Sequence, residues 1–133
     1  MKFLLASAAL VLAASPALAQ TKVGVTASDQ SVSGGMVKAT NVMAAEDGWL
    51  VVHKTDGMKP GPVVGHAMLK KGDNANVGVK LSEKFKKGDK LMLMIHSEKG
   101  GKKPGVFEYT LGSKLDGPIR RDGKLVMKVV TVQ

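Results

Sequence analysis

After residue 20 the apolar positions come in short runs and not at helical spacing. No window of a dozen residues keeps an i, i+3, i+4 rhythm. Alternating or fully apolar runs recur instead at 22–26, 36–43, 49–54, 62–69, 75–81, 90–96, 105–111 and 124–132. Turn-forming groups separate them, among them Ser33-Gly34-Gly35, Glu46-Asp47-Gly48, Asp56-Gly57, Gly72-Asp73-Asn74, Gly88-Asp89, Asp116-Gly117-Pro118 and Asp122-Gly123. Runs of this length and spacing predict an all-β domain, an immunoglobulin-like antiparallel β-sandwich of seven to eight strands. Trp49-Leu50-Val51-Val52 and Leu91 to Ile95 are apolar at every position, which predicts central strands with both faces covered.

The first 20 residues follow a different pattern. Lys2 precedes a mostly apolar stretch from Phe3 to Ala14, Ser15-Pro16 ends it, and Ala17-Leu18-Ala19 offers a small-x-small cleavage site. This reads as a secretory signal peptide over 1–19, with the mature domain at 20–133. The apolar run is shorter than the ~20 residues a spanning helix needs, so no membrane span is expected after cleavage. Periplasmic or secreted protein should therefore begin at Gln20, which mass analysis of its N-terminus checks. A product that keeps Met1 in the membrane fraction would rule the reading out.

Composition narrows the chemistry. The 133 residues contain no cysteine, which excludes disulfides, thiolate metal sites and a cysteine nucleophile. The net charge is +9, or +8 once Lys2 is removed, and nearly all of it is lysine. Base stacking requires aromatic side chains interleaved with the basic ones, and beyond residue 20 the chain has only four aromatics, so nucleic acid is not expected. An anionic component of the cell envelope fits the charge, although lysines on turns and strand edges also serve to block edge pairing.

Four motifs fall in one order: "GWLVVH" at Gly48 to His53, "GPVVG" at Gly61 to Gly65, "MIH" at Met94 to His96, and "FEY" at Phe107 to Tyr109. This order resembles a domain family of unknown function found in exported bacterial proteins and haloarchaeal surface proteins. The resemblance implies export and an immunoglobulin-like sandwich, and it implies no activity.

Candidate chemistry is sparse. There is no Gly-x-Ser-x-Gly, no phosphate loop opening a helix and no carboxylate pair in an apolar setting. A non-enzyme is expected, with no catalytic residue and no organic cofactor. Three histidines stand in or at the ends of predicted strands: His53, His66 and His96. His66 shares a strand face with Met68, and Met94 shares one with His96. Imidazole with thioether is a soft ligand set suited to copper. The same methionines also fill gaps in a core short of aromatic residues, and packing is the simpler expectation. Leu91, Leu93 and Ile95 should face the other sheet, together with Trp49 and Val51. Met92, Met94 and His96 then point outward and need a cover. The loop over 56–62, a second subunit or a soft metal ion would each supply one.

Overall fold

The computed structural model describes residues 22–99, 102–103, 105–109 and 115–133. The signal peptide and cleavage site expected from the sequence lie outside these residues. Among the described residues nine strand segments follow one another: β1 (Gly24–Thr26), β2 (Met36–Ala44), β3 (Gly48–Thr55), β4 (Pro60–Leu69), β5 (Gly72–Lys80), β6 (Lys90–Ser97), β7 (Arg120–Arg121), β8 (Lys124–Leu125) and β9 (Met127–Thr131). No described helix is long and apolar enough to cross a membrane.

The strands form two antiparallel sheets, ordered β1-β2-β5 and β4-β3-β6-β9, with β7-β8 as a separate small hairpin. This is a β-sandwich, as the spacing of the apolar runs predicts. β3 and β6 sit at the centre of the larger sheet, in keeping with their unbroken apolar sequence.

Pairing register decides which side chains meet. Leu50 lies opposite Ile95, and Val52 lies opposite Leu93. Residues directly opposite in an antiparallel pair share a face. Leu50, Val52, Leu91, Leu93 and Ile95 all join one buried cluster with Val37, Ala39, Val42 and Val79 of the smaller sheet. The inter-sheet core is therefore on this face.

Trp49 and Val51 are buried, but not between the sheets. Trp49 lies opposite His96, Val51 opposite Met94, and His53 opposite Met92. They belong to the outer face of the larger sheet, and Leu50 and Val52 hold the core positions expected for them. A strand apolar at four consecutive positions has no alternation to show its phase, so neighbouring β6 sets it.

Three predicted elements change. The run 124–132 breaks at Val126, whose N–H donates to Ile119 O while its carbonyl accepts from Ile95 N–H. Pro60 and Gly61 lie inside β4, so the loop after β3 shrinks to 56–59. Asp56 Oδ1 closes this turn by accepting from the N–H groups of Met58 and Lys59. The predicted strand over 105–111 is not a strand across 105–109, and 110–111 lie outside the described residues. Two of its amides bond to carboxylates, and the Val106 amide donates to the nearby Lys103 carbonyl. Gly105 N–H donates to Glu98 Oε2 at 3.1 Å, and Glu108 N–H donates to Asp116 Oδ2 at 2.7 Å. The segment thus crosses the outer face of the sheet.

Candidate functional site

That outer face gathers Trp49, Val51, His53, Met92, Met94 and His96, all buried. Phe107 and Tyr109 form its cover. Tyr109 meets the His96 ring edge-on at 4.5 Å between centroids and the His53 ring at 6.0 Å. Phe107 stacks on His66 at 4.4 Å and meets Trp49 at 5.5 Å. Trp49 Nε1–H donates to Glu98, which anchors the same segment through Gly105. Of the covers considered for this face, the 56–62 loop does not supply one; residues 105–109 lie over it.

Beneath Tyr109 two of the three histidines converge. His53 Nε2 and His96 Nε2 stand 3.2 Å apart. The other nitrogen of each ring is committed. His53 Nδ1 lies 2.8 Å from Gly61 O, and His96 Nδ1 lies 2.6 Å from Asp116 O. A carbonyl oxygen only accepts, so both Nδ1 atoms carry the proton. In the neutral rings both Nε2 atoms are then bare acceptors, with lone pairs turned toward one another.

Close backbone approaches hold this geometry. A Cβ on Gly48 would sit 2.3 Å from His96 O, so only glycine lets β3 run this close to β6 beside the second histidine. A Cβ on Gly61 would sit 2.7 Å from Lys54 O. Glycine there brings the Gly61 carbonyl within reach of His53. Asp116 adopts φ 44°, a left-handed conformation that asparagine and aspartate tolerate better than most residues. Its carbonyl faces His96.

Burial sets the charge state. Removal from water holds His96 down to about 4, the Asp116 carbonyl opposing and a charge on His53 adding to the effect. His53 is lowered by burial, against its bond to Gly61. Burial also lowers His66. Asp116 moves the other way: burial raises its carboxyl, the Glu108 amide opposes, and Glu98 and Glu108 push it further up. Its Oδ1 is buried without a hydrogen-bond partner.

The five candidate ligands therefore separate. His53 and His96 meet, and Met94 lies on the same face between their strand positions. His66 does not join them, because its ring is sandwiched against Phe107 and Trp49. Met68 is about half exposed (52%) at the rim of the sheet. Among the described residues no group of three or more His, Asp or Glu converges on one point. Sequence reasoning missed Gly61 and Asp116 as the carbonyls that orient the rings, and Phe107 with Tyr109 as the cover. One signal was present for the cover: beyond residue 20 the chain has only four aromatic residues, and two of them stand in the FEY motif.

A family model described as "Domain of unknown function (DUF7282)" matches residues 23–133. No curated protein matches the chain, and no solved structure does.

Proposed function

Starting from the chain's membership of this family of unknown function, we propose that the domain is an exported, non-catalytic binding module of the cell envelope that holds one soft cation, Cu(I), at His53 and His96. One observation carries the reading: two buried Nε2 atoms stand 3.2 Å apart, each made a bare acceptor by a carbonyl at its Nδ1. Two lone pairs facing each other repel. A proton or a metal ion between them removes the repulsion.

Burial disfavours the proton, since it holds His96 at about 4. A metal ion brings two dative bonds in return for its own desolvation. With metal–nitrogen bonds of about 2.0–2.1 Å, the observed 3.2 Å separation corresponds to an angle near 100° at the metal. That angle is close to tetrahedral and far from linear, so the ion needs further ligands. Met92 and Met94 are buried on the same face. Imidazole plus thioether suits Cu(I), and a monovalent ion is easier to bury than a divalent one. The same set suits zinc poorly, because zinc's structural sites take four His, Cys or carboxylate ligands. The absence of cysteine is consistent with an oxidising compartment, where thioether persists as the soft ligand.

The test is a Cu(I) titration of the mature protein against a competing chelator. Wild type should bind one equivalent. The His53→Gln/His96→Gln double variant should bind none while keeping its β-type circular dichroism. Met94→Leu, which conserves volume, should keep the fold and weaken binding. Equal binding by wild type and the double variant overturns the assignment. Binding that survives there and disappears in His66→Gln/Met68→Leu overturns it in favour of the rim pair.

A further inference from the structure

A cleft of about 310 Å³ opens between the two sheets at the end where the chain enters β3 and leaves β6. Its walls are mostly apolar, with Val23, Ile95, Ile119 and Val126 facing the space. Such a volume is at the small end of the range for ligand pockets, roughly 300–1,000 Å³. At its rim stand Arg120 and Arg121. They are the chain's only arginines among 20 basic residues.

The hairpin that carries them is built tightly. Arg120 and Arg121 form β7 and pair with Leu125 and Lys124 of β8. The two residues between, Asp122 and Gly123, both have positive φ, 52° and 76°. Positive φ at both central positions is the signature of a type I′ hairpin turn. Arg120 Nη1 donates to Gly123 O at 3.2 Å, so one nitrogen of its guanidinium is tied to the turn it frames. Across the mouth, Glu46 is paired with Lys99 at 3.1 Å. Those two charges offset one another, Asp47 on the same rim accepts from the Lys71 amide, and the two arginines leave the rim with a net positive charge.

We infer that this cleft binds a small amphiphilic anion, a carboxylate on a short alkyl body. The apolar walls take the alkyl part. The guanidinium of arginine presents a planar fork that matches a carboxylate, which the ammonium of lysine does not. Elsewhere the chain uses lysine for its positive charge, so arginine at this one rim fits recognition better than general solubility. His96 is the one copper-site residue that also lines the cleft; His53, Met92 and Met94 do not, and neither the apolar walls nor the arginine rim depends on whether the domain binds metal.

The probe is octanoate, titrated into the ¹⁵N-labelled mature protein and followed by amide chemical shifts. Saturable shifts should centre on Ile119, Arg121 and Val126. Acetate, which lacks the alkyl body, and octylamine, which reverses the charge, should not saturate. Arg120→Gln/Arg121→Gln should weaken octanoate about tenfold or more, the scale of losing a charge-assisted hydrogen bond. Ala45→Leu, at the exposed mouth, should block it without touching the arginines. The inference fails if octanoate gives no saturable shifts, if octylamine binds as well, or if the double arginine variant binds octanoate as wild type does.

Discussion

Replacing Leu93 with alanine is expected to lower the unfolding free energy by about 2–5 kcal/mol. Leu93 is fully buried and lies opposite Val52 at the centre of the larger sheet. The same contact surface includes Val37, Val42 and Val79 from the smaller sheet. Truncation removes the transfer energy of the lost methylenes and methyls and leaves a cavity between two sheets that cannot easily close. Met94, the next residue, is equally buried but faces the other way, on the outer face that carries the histidine pair. Met94→Leu conserves volume there and should cost less than about 1.5 kcal/mol. Urea unfolding of both variants measures the contrast. A loss below about half a kilocalorie for Leu93→Ala, the scale of a surface change, would mean that this face of β6 is not the inter-sheet core.

The contrast also marks what the sequence makes legible. The inner face of β6 can be read directly, because Leu91, Leu93 and Ile95 are branched and alternate with unbranched methionine. Trp49 and Val51 cannot be phased in the same way, because β3 has no polar residue between Trp49 and Val52. Their side is set by hydrogen bonding to β6, a contact between residues more than 40 positions apart. The meeting of His53 with His96 has the same origin. His53 pairs with Met92, and His96 stands four residues further along β6, so the two rings reach toward each other across Met94. Nothing local distinguishes His53 from His66 as the partner. The FEY motif misleads for a different reason. Its alternation suits a strand, but Asp116 takes the Glu108 amide, and Glu98 takes the Gly105 amide just before the motif, from positions that no local pattern reveals.

Between pH 7 and pH 4 the metal-free protein is expected to lose about 3 kcal/mol of stability through His96 alone. The unfolded chain binds a proton near the ordinary 6.5, whereas the folded ring does so only at about 4. A depressed pKa contributes stability that is complete above the unfolded value and is lost as pH falls through the folded one. At about 1.4 kcal/mol per tenfold difference in proton affinity, the interval is worth about 3 kcal/mol. His53 and His66 are lowered as well and act in the same direction. Asp116 opposes them: its raised carboxyl favours the folded state as pH falls. Asp56 is lowered from the ordinary 3.8, so its contribution is lost only below this window. Urea unfolding at successive pH values, with His96→Gln alongside, isolates the ring: the variant should show a shallower slope between 6.5 and 4. The sign of the slope also reports what lies between the two Nε2 atoms in the metal-free protein. A shared proton would raise the pair's affinity for that proton, and stability would increase on acidification through 6.5. A decrease means that the folded state keeps two neutral rings with opposed lone pairs, an arrangement that a soft cation relieves. Flat or rising stability across this range would remove the electrostatic basis for a metal site at His53 and His96.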